Sequence, residues 1–433
     1  MPESSGATVL DDLPESIIIW EILVRLPPKD TLRCRAVRKS WRRATSTRDF
    51  LLAHHLHQPS LPVIKHSPDV DALLDDPRLL ELAAMGDTRR LNLPALFDDP
   101  HHVVFRDEGA GNRKLWPVLR YATPCREFTG LQLHASRDGL LVFSNTIGHA
   151  SDRIFYVCNP TTRQFAPLPQ LFEHGRQGFT TSISGLYLHQ PSQEYRVLYF
   201  CRVLPANWID SVPADFYILT VGSDEPRRFI GRPPPSSPPS IGHALLKGLP
   251  CSNLSAPTFH HGSLHWDLGR YHRKYTDKHD IMVFDTTVET FRWMRRPAEA
   301  PLGLWTSLSE MKGELALFSA SDGVIMDVFV MQDYKDEVWV LRHRINLSAA
   351  MTALPQFDLT MGVVNAREFL IELPGRLLHC DIDGKVLGVV EEDGRRIHIT
   401  TYSLQESIVP LAWFEEQKGH DASDEPHPFS LGL

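Results

Sequence analysis

Phe155-Tyr156-Val157-Cys158-Asn159 reaches Phe165 six residues after its asparagine, and Met282-Val283-Phe284-Asp285 reaches Phe291 six residues after its aspartate. Each copy is a short β-branched and aromatic run, a turn-forming Asn or Asp, and an aromatic that resumes an extended run. A second recurring signal is a glycine that opens an apolar run: Gly139-Leu140-Leu141, Gly262-Ser263-Leu264, Gly313-Glu314-Leu315 and Gly375-Arg376-Leu377. These glycines lie 123, 51 and 62 residues apart. The first interval is close to twice the others, as if one copy had drifted. Repeats of about 40–60 residues made of short strands point to propeller blades, with a pair of packed β-sheets as the alternative.

Further strand-like runs carry the reading across the chain: Leu140–Phe143, Ile154–Val157, Val197–Phe200, Phe216–Val221, Ile281–Phe284, Leu315–Phe318, Val338–Leu341 and Val386–Val390. Asp-Gly stands at Asp138-Gly139, Asp322-Gly323, Asp383-Gly384 and Asp393-Gly394. That dipeptide favours tight hairpins, because glycine accepts positive φ at low cost. From about Ser60 onward the chain therefore reads as mostly antiparallel β, apart from a helix expected over Pro77–Met85. Arg232-Pro233-Pro234-Pro235-Ser236-Ser237-Pro238-Pro239 cannot enter a sheet interior and reads as an exposed spacer.

Before Ser60 the pattern is helical. Leu13, Ile17, Trp20 and Val24 recur at helical spacing, with Ile22 and Leu23 widening the stripe. Pro14 suits a first turn, and Asp11, Asp12 and Glu15 place negative charge at its positive end. Pro27-Pro28 stops this helix by pushing Leu26 out of the α region. Two more helices are expected, over Asp30–Val37 and Lys39–Ser46, the last carrying Trp41 into the core. Three short helices make a marginal core that leans on a neighbour or a partner.

The 433 residues carry a formal net charge of -8, which argues against a dedicated nucleic-acid binder. The basic run Arg33, Arg35, Arg38, Lys39, Arg42, Arg43 reads as a solvated face balanced by Asp11, Asp12, Glu15, Glu21 and Asp30. Six cysteines, at 34, 125, 158, 201, 251 and 380, form no CxxC pair. They read as scattered thiols rather than a disulfide framework or a metal knuckle. Asn253-Leu254-Ser255 and Asn346-Leu347-Ser348 match the glycosylation sequon but stand alone as secretory signals. Met1–Thr8 is polar without Lys or Arg and does not read as a signal peptide. No run of about 18 apolar residues suggests a membrane span. A cytoplasmic or nuclear location, or both, is expected.

The N-terminal residues also carry a long pattern. Leu13-Pro14-Glu15-Ser16-Ile17-Ile18-Ile19-Trp20-Glu21-Ile22-Leu23-Val24-Arg25-Leu26-Pro27, then Leu32-Arg33-Cys34-Arg35-Ala36-Val37-Arg38-Lys39-Ser40-Trp41, resembles the F-box over roughly residues 9–50. The remainder is similar to the F-box-associated β domain common in plant F-box proteins. The carrying phrases are Asp138-Gly139-Leu140-Leu141, Asn159-Pro160-Thr161-Thr162-Arg163-Gln164-Phe165 with Leu168-Pro169, and His261-Gly262-Ser263-Leu264-His265-Trp266. The resemblance implies docking on a Skp-type adaptor of an SCF-type cullin–RING ubiquitin ligase, with the β domain holding a protein target. By position it implies adaptor contacts at Leu13, Pro14, Ile17, Ile22, Leu23, Leu26, Pro27 and Leu32, while Val37 is open between core and contact.

The expected organisation is a multidomain chain. A disordered segment (1–8) precedes a small all-α F-box of three short helices (9–58). A mostly antiparallel all-β domain, read as a β-propeller (59–414), and a disordered acidic tail (415–433) follow. Within the β domain, the irregular stretches Arg202–Pro213, Arg232–Pro257 and Asp267–His279 are candidates for target recognition. Arg270, Tyr271, Arg273 and Tyr275 are the proposed target-binding residues, since aromatics and arginines dominate binding hot spots. Trp266 is expected to pack inside a blade instead.

For catalysis the chain has no P-loop, no G-x-S-x-G elbow, no HExxH and no kinase signature. Ser319-Ala320-Ser321-Asp322-Gly323 faintly resembles a sialidase Asp-box but reads better as a hairpin turn. His54-His55-x-His57 and His260-His261-x3-His265 lack the ligand geometry of a zinc site, because strand alternation would put His260 on the opposite face from His261 and His265. No catalytic residue, metal or cofactor is expected. The mechanism implied is proximity: two reactants held together react as one. Two alternatives are a scaffold acting outside a ligase and a propeller hydrolase, the latter requiring inward carboxylates at one channel mouth.

Overall fold

A computed structural model of the chain describes residues 13–68, 100–107, 113–121, 128–147, 153–171, 179–203, 215–223, 225–234, 256–267, 281–300, 305–320, 324–348, 360–391, 395–411 and 429–431. The segment 1–8, the helix expected over Pro77–Met85 and Arg270, Tyr271, Arg273 and Tyr275 lie outside these residues.

The β domain is a six-bladed propeller. Five blades are four-stranded antiparallel meanders that follow one another in sequence. Blade 2 comprises β4 (Phe128–Arg137), β5 (Leu140–Ile147), β6 (Arg153–Asn159) and β7 (Gln164–Pro167). Blade 3 comprises β8 (Phe179–His189), β9 (Glu194–Val203), β10 (Asp215–Thr220) and β11 (Arg228–Gly231). In blade 4 these are β12 (Thr258–His260), β13 (Ser263–Asp267), β14 (Ile281–Asp285) and β15 (Thr290–Met294). Blade 5 holds β16 (Trp305–Met311), β17 (Glu314–Ala320), β18 (Ile325–Asp333) and β19 (Val338–Asn346). Blade 6 holds β20 (Met361–Asn365), β21 (Glu368–Leu373), β22 (Arg376–Asp381) and β23 (Val386–Glu391).

Blade 1 closes the ring with strands from both ends of the chain. Its order is β24 (Arg395–Gln405), β1 (Ser60–Pro68), β2 (Pro100–Asp107), β3 (Arg113–Tyr121) and β25 (Phe429–Leu431). Ser60 pairs with Gln405 and Pro68 with Arg395, so the closure runs the length of β1. The last strand corrects the expectation of a disordered tail over 415–433: Phe429–Leu431 pair with Tyr121, Arg120 and Leu119. Two apolar residues in three, Phe429 and Leu431, supply β-propensity that the polar residues before them hid.

Stability comes from six apolar layers, one between each pair of neighbouring blades. Blades 3 and 4, for example, bury Tyr187, Leu198, Phe200 and Phe216 against Leu264, Trp266, Met282 and Phe284. Trp266 is 1% exposed, inside a blade contact as expected. The strands alternate poorly between apolar and polar because both faces of a blade are covered: Glu314–Ala320 is buried at every position after the first.

The six-residue spacing has a physical cause. Asn159 Oδ1 accepts the amides of Thr161 (3.0 Å) and Thr162 (3.2 Å), and Asp285 Oδ1 accepts those of Thr287 (2.8 Å) and Val288 (3.1 Å). Each turn ends on a left-handed residue, Arg163 (φ 58) or Glu289 (φ 55), before the outer strand resumes. A third copy stands in blade 5, where Asp333 Oδ1 accepts Lys335 and Asp336 (2.9 and 3.0 Å), Glu337 is left-handed (φ 57) and Trp339 follows. The glycine repeat needs one correction. Gly139, Gly262 and Gly313 sit between the first and second strands of blades 2, 4 and 5, whereas Gly375 sits between the second and third of blade 6. The missing copy is blade 3, where Gln190–Gln193 makes the equivalent turn without glycine.

The N-terminal unit has four helical parts rather than three. The first is continuous but irregular: α1 (Glu15–Ile17) runs into a π-helical stretch (Ile18–Ile22) and a 3-10 turn (Leu23–Arg25). The Leu23 amide reaches back to the Ile18 carbonyl. A five-residue repeat brings Ile18 under Leu23 and Ile19 under Val24, so two adjacent pairs all face the core. Leu26 turns extended (φ -69°, ψ 151°) ahead of the prolines. α2 (Pro28–Cys34) and α3 (Lys39–Ala44) follow, with Trp41 6% exposed as expected. The unexpected α4 (Arg48–His57) is capped by Thr47 Oγ1, which accepts the Phe50 amide (3.4 Å). Thr47 with Asp49 in the first turn was a readable start signal.

Candidate functional site

The propeller has two unlike faces. Each blade's first strand ends, and its second begins, on one face; its third-to-fourth turn lies there too. None of these turns exceeds seven residues. The helical unit stands on this face, beside Ser60 at the start of β1 and Gln405 at the end of β24. The strand ends flanking 69–99, 204–214, 232–257 and 268–280 all lie at the opposite face. Sequence reasoning named the last three of these connections, but their common side required the topology.

On the helical unit, eight residues were expected to meet an adaptor. Leu13, Pro14, Ile17, Pro27 and Leu32 are exposed, Ile22 and Leu26 are half-buried, and Leu23 is 3% exposed inside the unit's core. Leu13, Ile17 and Trp20 follow one side of the first segment at four- and three-residue steps. Trp20 is 44% exposed and its ring lies 5.8 Å from Phe50. Val37, left open earlier, is exposed, as are Leu52 and Leu56 on α4. Among the described residues, seven of the sixteen large apolar side chains left exposed lie between Leu13 and Leu56. A fragment this short with so many of them has a surface built to be covered.

The histidines are structural. His54 is fully buried and its Nε2 donates to the Leu26 carbonyl (2.9 Å) beside Thr31 Oγ1 (3.1 Å). Burial holds its pKa below the ordinary value, against the pull of the Leu26 bond. His55 points the other way and donates through Nδ1 to the Glu406 carbonyl (3.0 Å). In blade 4 the turn defeats simple strand alternation: His261 stacks on Tyr334 (4.7 Å), His265 Nε2 is bonded to the Tyr334 hydroxyl (2.8 Å) and His260 lies 5.5 Å from the same ring. Burial pushes His265 down to about 4, and His134, bonded to Ser144 Oγ (2.7 Å), down to about 3. Among the described residues no group of three or more His, Cys, Asp or Glu is placed to hold a metal ion. Cys34, Cys158, Cys201 and Cys380 are free thiols.

The ring encloses a channel of about 540 Å³, lined by all six inner strands. Its carboxylates are Asp138 and Glu310. Asp138 accepts the Tyr195 hydroxyl (3.2 Å) and pairs with Arg137 (3.1 Å), so it is engaged in holding blades 2 and 3 together. Ser319 and Ala320 are buried strand residues of β17, while Ser321–Gly323 lie outside the described residues.

Residues 105–375 match the F-box associated beta propeller domain family. A protein of Arabidopsis thaliana named as a putative F-box protein is 23% identical over 310 residues, which are 70% of this chain and 69% of that protein. Among solved structures, the periplasmic gluconolactonase PpgL of Pseudomonas aeruginosa is 13% identical, with 79% of this chain and 99% of that one covered and a TM-score of 0.37. A prolyl endopeptidase is 11% identical with a TM-score of 0.32; 69% of this chain spans only 40% of that enzyme. Likenesses of that size carry nothing about activity.

Proposed function

Because the chain belongs to the F-box associated beta propeller family, we propose that it is the target-recognition subunit of an SCF-type cullin–RING ubiquitin ligase. The helical unit docks on a Skp-type adaptor through Leu13, Pro14, Ile17 and Leu32, with Pro27 at the edge. The half-buried Ile22 and Leu26 support that surface, and Leu23 supports it from within. The target binds the opposite propeller face, with Arg270, Tyr271, Arg273 and Tyr275, which lie in sequence between β13 and β14, as its proposed contacts. The subunit works in the cytosol or nucleus and performs no bond chemistry itself. It holds the target within reach of a conjugating enzyme, which replaces a bimolecular encounter by an effectively unimolecular one.

The carrying observation is the opposition of the two surfaces: exposed apolar side chains on the helical unit at one face, and the strand ends flanking 69–99, 204–214, 232–257 and 268–280 at the other. A two-ended adaptor needs that separation so that two partners can bind together. A hydrolase of the two-carboxylate kind would need a free pair at a channel mouth, and of the channel carboxylates Asp138 and Glu310 the first is already tied to Tyr195 and Arg137.

The test is a paired pull-down with the full chain. Ile17→Asp with Leu32→Asp removes two aliphatic contacts, together about 3 kcal/mol or more, on the order of a hundredfold in affinity. Both side chains are about two-fifths exposed, so the fold should survive. This variant should lose the adaptor and keep the target. Replacing Arg270, Tyr271, Arg273 and Tyr275 by Ala should do the reverse. Undiminished adaptor recovery from the first variant would overturn the docking surface.

A further inference from the structure

The helical unit does not close its own core. Ile18, Ile19, Leu23, Val24, Trp41, Phe50 and Leu51 form one buried cluster, and its eighth buried member is Ile408, with Val409 packed against it. Ile408 is 6% exposed and lies three residues beyond Gln405, the end of the last inner propeller strand. The chain is held on that path from both sides. Toward the helices, the Gln405 side-chain amide donates to the carbonyls of His55 and Gln58 (both 3.0 Å), and His55 bonds the Glu406 carbonyl. Toward the ring, Glu406 pairs with Arg106 of β2 (2.6 Å) and Asn159 donates to the Ser407 carbonyl (3.0 Å). Gly139 leaves room for this path: a Cβ there would lie 2.4 Å from that of Ser407, on a backbone with φ +83°.

The segment reaches this place only when β24 has paired with β1, because β24 delivers it. We propose that adaptor docking is conditional on ring closure: the N-terminal docking unit becomes rigid only after the C-terminal strand closes the propeller and inserts Ile408. The docking surface, with its first contact at Leu13, is synthesised early, yet the residue that completes its core is number 408 of 433. A nascent or ring-opened chain is thereby kept from the adaptor until its target-holding face exists. The arrangement rests on the docking role proposed above, but the structural coupling it requires can be measured without any adaptor.

The experiment uses full-length protein with Ile408→Asp and the conservative Ile408→Val, read by hydrogen exchange and by co-purification with a Skp-type adaptor. Ile408→Asp should speed exchange of the buried amides in Ile18–Val24 and Phe50–His54 by about tenfold or more, leaving those of β9 and β14 protected. Adaptor recovery should fall in parallel, and Ile408→Val should retain both. Wild-type protection of the helices in Ile408→Asp would overturn the inference, whatever the adaptor does. If wild-type protein fails to bind the adaptor while the helices still loosen, the docking role is wrong and the coupling stands. Should Ile408→Asp loosen the blades as well, Ile408→Ala decides: exchange in α4 must rise more than in β9, and equal rises would refute the coupling.

Discussion

The helical unit and the propeller solve burial in opposite ways. The propeller repeats one solution six times: each blade covers its neighbour, and the ring leaves no first or last blade to expose. The helical unit has a single cluster, borrows Ile408 to complete it, and still leaves Leu13, Ile17, Trp20, Leu32, Val37, Leu52 and Leu56 exposed. A repeated ring distributes stability over many layers, so the loss of one side chain is shared. A one-cluster unit concentrates it, which makes it dependent on neighbours and suits it to conditional docking.

The sharpest way to break that contrast is Trp41→Ala. Trp41 is a buried member of the one apolar cluster that the helices form among the described residues, and a Trp-to-Ala change in a core costs about 3–5 kcal/mol. That is comparable with the whole stability of so small a unit. Helical circular dichroism over 15–57 should be lost while the β signal and its melting temperature persist. A helical signal that still melts cooperatively at the wild-type temperature would show that the unit has reserves beyond its single cluster.

Acid should favour the opposite ranking. Burial lowers the pKa of His134 to about 3 and of His265 to about 4, and lowers that of His379 as well, all within the ring; the helical unit has His54. Above the unfolded pKa of about 6.5 both states are neutral and pH has no effect. Below it the unfolded chain takes up protons that the folded chain resists, so stability falls as pH drops toward 4 and 3. At pH 5 each of His134 and His265 should cost the propeller about 2 kcal/mol relative to pH 7.5. The β melting temperature should drop between those pH values, and less so in His134→Gln with His265→Gln. An identical drop in that double variant would exclude these histidines as the cause.

The smallest effect sharpens the idea of shared load. Glu289, at the left-handed turn of blade 4, accepts Tyr187 Oη (2.6 Å) and Arg196 (2.7 Å) and pairs with Arg228, all from blade 3. Glu337, at the same turn position of blade 5, holds Arg292 (3.1 Å) and Arg295 (3.2 Å) of blade 4. In blades 4 and 5 the turn position thus carries a carboxylate that ties to the preceding blade, where blade 2 has Arg163. Glu289→Gln should lower stability by about 1–2 kcal/mol, through weakened bonds to buried groups. Combined with Glu337→Gln the losses should add, since the two ties share no partner. Strong non-additivity in denaturant titration would mean that blades 3 to 5 fail together rather than layer by layer.

Much of this molecule was readable before its structure. Seven of the eight strand-like runs named from β-branched and aromatic content lie wholly on strands and Phe216–Val221 overruns β10 by one residue, while Asp138-Gly139 makes the turn its chemistry requires, with φ values of 51° and 83°. Pro27-Pro28 ends the first helix as the backbone rule demands. What was misread turned on contacts outside the local window. Leu23, implied as an adaptor contact by the F-box resemblance, is carried by the π-helical stretch into the unit's core, a placement that only the packing shows. Blade 3 kept its turn while losing its glycine: Gln193 adopts φ 57° with its side-chain amide donating to the Gln190 carbonyl (2.7 Å). The tail's Phe429–Leu431 found an edge in β3 that no tail sequence could announce.

The sequence by itself determined the two kinds of unit, the strand repeats, the turn types and the apolar stripe, since each depends on backbone rules acting over a few residues. Only the tertiary structure decided the blade number, the ring closure, the separation of the two faces and the borrowed Ile408. These depend on pairings across the whole chain, such as Thr400 Oγ1 donating to the Val63 carbonyl (2.6 Å) across 337 positions. The gain from such a contact appears only once the intervening blades have closed the loop between its partners.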